Sequence, residues 1–535
     1  MAEQGHGGLA ITRALKALGV EHLFALTGGH IFPILDGCHQ DEIGLIDTRH
    51  EQTATFAAEG YARLTRHLGV AAVTAGPGVT NAMSPLAQAR FNCAPLLCLG
   101  GRAPAFRWGQ GSLQEIDHVP FIDPIAPART VSETHAIAAA VVETAQAAMS
   151  VPRGPRFLDF PLDVLFNMTD IEIDLPELPQ PPPPDAGQVA EVARLIAQAE
   201  RPVVIAGTNV WLDRAEGALR ELVETAELPA FTNGQGRGCI PADHRLGFSR
   251  ARSKALKEAD LVIVAGTPLD FRLGFGDFGG ARVVHLDSQP IATHVDLAAS
   301  IEGSLDATFS AITEALDGPP DTKEWVSALR ETEQEKRDGA QGELRADQTP
   351  IHPMRIYGEL VPLLDRDAIV IGDGGDFVSY AGREVPSYEP GCWLDPGPFG
   401  CLGVGPGYAM AARALYPDRQ IVVLFGDGAI GFSGTELETL VRLHLPVVCV
   451  VGNNGIWGLE KHPMRALYGY DIAADLRPGI RYDQMMEAFG GMGELVKGPD
   501  EIAPALKRAL DSGEPCLVNI LTDPEIVYPR SSNLA

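Results

Sequence analysis

The sequence predicts an α/β protein made of three doubly wound domains with mainly parallel sheets. Short apolar runs alternate with amphipathic stretches along all 535 residues, an order typical of parallel strands covered by helices. A chain of this length also fits about three domains of ordinary size. The runs predicted to be strands are 70–75, 96–99, 202–206, 261–265, 283–286, 368–371, 421–425 and 447–451.

Two seams separate the predicted domains. Residues 175–187 read LPELPQPPPPDAG, and four consecutive prolines fit neither a helix interior nor a sheet, so this segment is predicted to be a stiff connector. A charged stretch, predicted to be helical, ends near residue 350 and forms the second seam. We therefore expect domains at residues 1–175, 187–340 and 350–535.

Charge and composition exclude several classes of partner. The chain has 70 acidic and 42 basic residues, a net charge of −28, and no basic run that could neutralise a nucleic acid or an anionic membrane. No apolar run approaches the ~20 residues that span a bilayer, and residues 1–8 do not resemble a signal peptide. We expect a cytoplasmic protein without a nucleic-acid or membrane partner. The eight cysteines lack metal-site spacing, so reduced thiols are expected.

Two polar motifs follow apolar runs in the third segment. Gly426-Asp427-Gly428 follows the run 421–425, and Asn453-Asn454 follows the next run after a spacing of 24 residues. Carboxylate and amide oxygens at the ends of neighbouring strands suit Mg²⁺, which usually shares its oxygen ligands with substrate phosphates. An ordinary Asp turn and an Asn-rich loop would explain each half alone, whereas the joint pattern predicts a magnesium diphosphate site.

These motifs resemble those of the thiamine diphosphate enzymes, in which GDG is followed some two dozen residues later by NN. The resemblance runs from about Gly7 to Pro529. It implies a pyrimidine-binding, a central and a diphosphate-binding domain, with thiamine diphosphate and Mg²⁺ as cofactors. The implied metal ligands are Asp427, Asn454 and the main-chain oxygen of Ile456, and the implied cofactor contacts include Gly426, Gly428, Ala429, Asn454, Ile456, Trp457 and Gly458.

Glu51 is the candidate acid–base group of the first segment. It stands between the apolar patch 43–46 and the helical pattern QTATFAAEGYARL. Thiamine chemistry needs one carboxyl group bonded to the aminopyrimidine ring, and in the resembled family this Glu precedes an alanine-rich helix ending in G-[YF]-A-R. Gly60-Tyr61-Ala62-Arg63 matches that ending. A solvated charge at a helix N-terminus is the alternative.

Further site residues follow from the same resemblance. The turn from Gly76 to Asn81 matches a GPG turn that lies beside the cofactor ring, although tight turns often use glycine for geometry alone. Gln114 and Glu115 match a catalytic loop of acetolactate synthases, oxalyl-CoA decarboxylases and 2-hydroxyacyl-CoA lyases, with Leu113 in place of the usual aromatic residue. His30 either faces the substrate or caps a glycine turn.

Residues 400–409, GCLGVGPGYA, resemble the family segment GTMGVGLGFA. Leu402 would then be the apolar wedge that holds the cofactor bent, and the Gly400 carbonyl would accept from the aminopyrimidine. Gly374 and Gly375 match a second phosphate-contacting loop. Residues 400–409 are not a dinucleotide fingerprint, because they follow no predicted strand and include Pro406.

The substrate motifs favour the acyl-CoA branch of the family. Residues 453–458 resemble NNGIYxG of 2-hydroxyacyl-CoA lyases, and residues 251–276 resemble a lyase and oxalyl-CoA decarboxylase pattern. That branch binds ADP or the CoA nucleotide in the central domain, so ADP is expected there more than FAD, although Pro268 replaces an arginine of the pattern. Arg252 and Arg530 are candidate nucleotide or substrate contacts, and a disordered tail is the alternative for Arg530.

We therefore expect a carbon–carbon lyase that reversibly splits a 2-hydroxyacyl-CoA into a carbonyl compound and formyl-CoA. The alternatives are an acetolactate synthase or another 2-oxo acid decarboxylase or carboligase, and a non-catalytic thiamine-binding homologue, which Glu51 disfavours. The resemblance also implies a homodimer as the minimum active unit and a homotetramer as a common assembly.

Overall fold

The computed structural model describes residues 3–177 and 181–529. Its strands form three six-stranded sheets, with every neighbouring pair parallel, and a small antiparallel pair. The predicted α/β class with mainly parallel sheets is confirmed. Two compact units divide the chain: one comprises Met1–Pro179, Pro396–Pro417 and Phe432–Leu445, and the other comprises Gln180–Asp395, Asp418–Gly431 and Pro446–Ala535.

The N-terminal sheet has the strand order β3-β2-β4-β5-β7-β6, and β1 pairs with β8 outside it. The strands are β1 (Glu3–His6), β2 (His22–Ala25), β3 (Gly44–Asp47), β4 (Gly69–Val73), β5 (Leu96–Arg102), β6 (Ala128–Thr130), β7 (Arg156–Pro161) and β8 (Met168–Ile171). The helices are α1 (Gly7–Ala17), α2 (Phe32–Asp41), α3 (Glu51–Thr65), α4 (Pro77–Asn81), α5 (Met83–Phe91), α6 (Val119–Ile122), α7 (Ile137–Met149) and α8 (Leu162–Phe166).

The central sheet has the order β11-β10-β9-β12-β13-β14. Its strands are β9 (Pro202–Ala206), β10 (Ala230–Thr232), β11 (Gly247–Phe248), β12 (Leu261–Ala265), β13 (Arg282–Asp287) and β14 (Ala299–Glu302). The helices of this region are α9 (Ala186–Ala197), α10 (Thr208–Leu212), α11 (Glu216–Thr225), α12 (Arg252–Glu258), α13 (Leu305–Ala315), α14 (Lys323–Gly339) and α15 (Gln341–Leu344).

The C-terminal sheet has the order β16-β15-β17-β18-β20-β19. Its strands are β15 (Ile369–Asp373), β16 (Trp393–Leu394), β17 (Ile421–Gly426), β18 (Val448–Asn453), β19 (Met492–Val496) and β20 (Cys516–Leu521). The helices are α16 (Pro353–Leu360), α17 (Gly375–Glu384), α18 (Gly405–Leu415), α19 (Asp427–Ser433), α20 (Leu437–Arg442), α21 (Gly458–Tyr468), α22 (Tyr482–Ala488) and α23 (Ile502–Asp511).

All eight apolar runs form strands, seven of them within two residues of the predicted ends, while β5 extends three residues beyond the predicted end at residue 99. The central strands β4, β9, β12 and β17 are buried along their whole length, as expected for parallel strands covered on both faces. Among the described residues, no helix combines the length and apolar character that crossing a membrane requires.

A buried polar network anchors α3 in the first unit. Glu59 is fully buried and accepts from Gln88 at 3.0 Å and from Asn92 at 2.7 Å, while Arg63 donates to the Tyr408 hydroxyl of α18 at 3.0 Å. Burial raises the pKa of Glu59. Because unpaired polar groups are costly in a protein interior, this network fixes α3 against α5 and α18.

Asp287, at the end of β13, is a buried carboxyl group of the central sheet. It accepts from the Asn209 side chain and the Gln289 amide, both at 2.9 Å. Burial raises the pKa of Asp287 to about 6 from its ordinary value of 3.8. The folded state therefore disfavours the ionised form, with a penalty that is full above pH 6 and is relieved as the pH falls through 6.

Asp287→Asn is expected to stabilise the protein most at alkaline pH, because an amide keeps an acceptor for both donors and carries no charge. The raised pKa of Asp287 corresponds to a gain of roughly 3 kcal/mol in the free energy of unfolding of the variant at pH 8. This gain should shrink as the pH is lowered toward 4. Thermal midpoints measured across this range check the prediction, with the exposed Glu314→Gln as the control. An equal change at both ends of the range would contradict it.

Candidate active site

One cluster of candidate site residues, in the second unit, lies at the ends of two neighbouring parallel strands. β17 and β18 pair in register with Gly426 opposite Gly452, so Asp427 and Asn454 each follow a strand end at the same edge of the sheet. This edge is where open α/β sheets place ligands.

Asp427 is buried, with 4% of its surface exposed. Its Oδ2 accepts the Gly455 amide at 2.6 Å, and the Tyr482 hydroxyl donates to its main-chain oxygen at 3.1 Å. Burial raises the pKa of Asp427 to about 7, and the negative charge of Asp376 acts in the same direction. Within the described ranges no cationic side chain forms an ion pair with Asp427, so a bound cation would relieve the cost of its burial.

Asn454 lies between the Asp427 turn and a second acidic residue. Its Nδ2 donates to Asp376 at 3.4 Å, and its Oδ1 accepts the Ile456 amide at 3.2 Å. Burial raises the pKa of Asp376. Across residues 3–177 and 181–529, no group of three His, Cys, Asp or Glu side chains could hold a metal. A metal at this edge would thus be bound by the Asp427 carboxylate, the Asn454 amide oxygen, a main-chain oxygen and oxygens of a bound small molecule.

The chain approaches itself closely around the Asp427 turn. A Cβ at Gly428 would lie 2.4 Å from the Trp457 ring, and one at Gly458 would lie 2.4 Å from Oδ2 of Asp376. Gly374 and Gly375 follow β15 with φ of 82° and 77°. Gly374 lies beside β17, because a Cβ built at Gly426 would be 3.2 Å from the carbonyl oxygen of Gly374. Ala429 continues the same turn into α19 and is buried.

In the first unit, Glu51 is the first residue of α3 and is 7% exposed. Asn81, the last residue of α4, donates to Oε2 of Glu51 at 3.0 Å. Gly78 lies next to the same carboxylate, since a Cβ there would lie 3.4 Å from Oε1 of Glu51 and 2.9 Å from Cγ2 of Thr74. The GPG turn and Glu51 therefore form one cluster.

Thr74 and His30 complete this cluster. Nδ1 of His30 lies 3.3 Å from the Thr74 hydroxyl, and a Cβ at Gly28 would lie 2.4 Å from Cβ of Thr74. Burial lowers the pKa of His30, which keeps its imidazole neutral near pH 7. Thr74 was not predicted from the sequence, because a threonine after a strand carries no distinctive signal.

The loop with Gln114 and Glu115 runs beside Gly76. A Cβ at Gly76 would lie 2.9 Å from Cβ of Gln114, and both residues have a φ of 59°. Glu115 turns back to its own loop, where it accepts the amides of Gly109 and Ser112 at 3.1 and 3.3 Å. Leu113 is 78% exposed. The structure thus places Gln114 at the turn and gives Glu115 contacts that shape the loop.

The segment with Gly400 and Leu402 is tied to α3 and α5. Gln52 donates to the main-chain oxygen of Leu402 at 3.4 Å, and Gln88 accepts the Cys401 amide at 3.1 Å. Gly400 has a φ of 76°, and nothing lies within 4 Å of a Cβ built there. Leu402 is half-buried.

Arg252 lines two cavities of the second unit, of about 310 and 780 Å³. Its guanidinium donates to the main-chain oxygen of Arg272 at 3.1 Å, and burial lowers its pKa. No carboxylate forms an ion pair with it in the part of the chain that the structure describes. Arg530 lies outside the described residues.

Three family models match the chain. The thiamine pyrophosphate enzyme N-terminal TPP binding domain matches residues 6–121, the central domain matches residues 189–312, and the C-terminal TPP binding domain matches residues 373–520. Together they include every candidate cofactor residue named above.

Relatives resemble the chain along almost its full length. The acetolactate synthase large subunit IlvG of Mycobacterium tuberculosis is 55% identical, covering 100% of this chain and 99% of its own. The 2-hydroxyacyl-CoA lyase 2 of Caenorhabditis elegans is 34% identical, with 96% and 89% covered, and that of Homo sapiens is 32% identical, with 96% and 90% covered. The chain belongs to the thiamine pyrophosphate enzyme family, as its cofactor motifs predict.

Proposed function

We propose that this protein is a thiamine diphosphate-dependent carboligase of the acetolactate synthase type, which decarboxylates a 2-oxo acid such as pyruvate and joins the product to a second carbonyl compound. The observation that carries this choice is the 55% identity to proteins named acetolactate synthase over the whole chain, against 30–34% to those named 2-hydroxyacyl-CoA lyase 2. We therefore favour the acetolactate synthase alternative over the 2-hydroxyacyl-CoA lyase that the sequence motifs led us to expect.

The residues of the first unit supply the proton chemistry in this proposal. Thiamine diphosphate, when bound, provides a carbon nucleophile for carbonyl groups. Glu51 holds and releases a proton at the aminopyrimidine ring, and its buried position beside Asn81 fixes the carboxylate and excludes water. Gln114 and His30 lie beside the same turn and would contact the substrate, His30 as a neutral hydrogen-bonding group.

The C-terminal strand ends hold the diphosphate in the same proposal. Asp427, Asn454 and the main-chain oxygen of Ile456 are the protein ligands for Mg²⁺, which fits a buried carboxylate that lacks a cationic partner among the described residues. Nothing lies within 4 Å of a Cβ built at Gly375, so the turn at Gly374 and Gly375 would leave room for phosphate oxygens next to main-chain amides.

Asp427→Asn is expected to weaken Mg²⁺-dependent binding of thiamine diphosphate by roughly 100-fold or more, because the only carboxylate ligand is lost. The fold should survive, since an amide oxygen still accepts the Gly455 N–H. Titration calorimetry measures the affinity, with Glu494→Gln on β19 as the control for charge loss in the same sheet. Undiminished binding by Asp427→Asn would remove Asp427 from the metal site.

Incubation of the purified protein with pyruvate, thiamine diphosphate and Mg²⁺ is expected to yield acetolactate and CO₂. Formation of formyl-CoA from a 2-hydroxyacyl-CoA, without acetolactate from pyruvate, would instead favour the lyase. The two substrates should be supplied separately, and the products identified by mass spectrometry.

Glu51→Gln is expected to bind thiamine diphosphate nearly as well as the natural protein and to lose turnover by ~10²- to 10⁴-fold, because glutamine cannot exchange a proton with the ring. Turnover and calorimetric affinity should be measured on the same preparation. The exposed Glu143→Gln is the control, and an active Glu51→Gln variant would refute the assigned role.

The 2-hydroxyacyl-CoA lyase is the second candidate, and Arg252 favours it. A half-buried guanidinium without a carboxylate partner in the described residues, on the wall of two cavities, suits the phosphates of a CoA nucleotide or ADP. FAD in this region is the lesser alternative. Arg530 remains a proposed contact of the same ligand.

We further propose domain boundaries at residues 1–175, 187–340 and 350–535, and a homodimer as the smallest active assembly, with a homotetramer as the common one. Size-exclusion chromatography with light scattering, run with and without cofactor, tests the assembly.

A further inference from the structure

A fully buried histidine holds the turn that begins at Gly76. The Gly76 amide donates to Nε2 of His118 at 3.0 Å, and Nδ1 of the same ring lies 2.9 Å from Oδ2 of Asp159. Both side chains are 0% exposed. The three groups form a continuous line from the interior of β7 to the turn after β4.

The hydrogen bonds fix the tautomer of this ring. Because a main-chain N–H points at Nε2, that nitrogen carries the lone pair, and the ring proton lies on Nδ1 facing Asp159. Arg102 donates to the same carboxylate oxygen at 2.9 Å and to Asp117 at 3.0 Å. The carboxylate is thus held from a second side, and it in turn sets the orientation of the imidazole.

The turn held by His118 carries the contact to Glu51. Gly76 caps α4, a helix of only five residues, and Asn81 at the end of α4 donates to Glu51 at 3.0 Å. Gly78 in the same helix passes close to the other oxygen of this carboxylate. A shift of the Gly76 amide would therefore move Asn81, which holds the Glu51 carboxylate.

We propose that His118, oriented by Asp159, is a positioning residue for Glu51: it sets the GPG turn so that Asn81 holds the carboxylate in its working position. The inference rests on the proposed function only in taking Glu51 as the acid–base group. A residue that merely filled space would be replaced by leucine with little effect on turnover, whereas a positioning residue needs both an acceptor and a donor.

The first test needs neither cofactor nor substrate. In the protein labelled with ¹⁵N-histidine, the His118 resonances, identified by their loss in His118→Gln, should report an unprotonated Nε2 and a protonated Nδ1. In hydrogen exchange monitored by mass spectrometry, a peptide covering residues 74–81 should exchange faster in His118→Leu and remain slow in His118→Gln. Glutamine can accept from Gly76 and donate to Asp159, and leucine can do neither.

The second test compares turnover in the same variants. His118→Leu should lower kcat by about 10- to 100-fold with a change in KM below about 3-fold, since the acid–base group is misplaced while substrate contacts persist. His118→Gln should recover most of kcat. His285→Leu, which removes a similarly buried histidine from β13, is the control and should leave kcat and the exchange of residues 74–81 unchanged.

The proposal is overturned if Nε2 of His118 is protonated, if His118→Leu leaves the exchange of residues 74–81 unchanged, or if the Leu and Gln variants have equal kcat. Failure of the proposed function has a different signature, because acetolactate would then be absent from the natural protein while the exchange and NMR results persisted.

Discussion

The burial of one uncompensated carboxylate constrains this molecule more than any other interaction. Asp427 is 4% exposed, and its pKa is raised to about 7, so its ionised form is costly until a positive charge arrives. The strand end, the Gly455 amide and the Tyr482 hydroxyl hold the carboxyl in place and provide no neutralising charge. The stability of the parallel sheet thus keeps the Asp427 carboxyl group, which could bind a cation, out of water.

A different arrangement surrounds Glu51, the proposed acid–base group. Glu51 begins a helix whose later turns are held by Glu59, Arg63 and Tyr408, and among the described residues its carboxylate accepts a side-chain hydrogen bond only from the neutral amide of Asn81. The rigid helix therefore keeps the carboxylate of Glu51 in one place through a single neutral hydrogen bond. The same helix packs into the core at one end and carries the proposed acid–base residue at the other.

The sequence predicts the strands well, because apolar runs flanked by glycine reflect local physics, and its motifs predict the family. It does not predict that His118 reaches back 42 residues to Gly76, or that Asp376 lies beside Asn454. Such contacts depend on which strands become neighbours and carry no local pattern. Glu115 is another example, because its match to a family loop does not predict that it accepts a hydrogen bond from the Gly109 amide.

Leu113 has a consequence for the surface next to the Gly76 turn. It projects into solvent from the loop beside Gly76, with 78% of its surface exposed, so the folded state gains little from its identity. Replacement there is nearly free in stability, while the neighbouring Gln114 stays packed against the turn. Substitutions at this one position should therefore alter the surface next to the Gly76 turn without unfolding the scaffold.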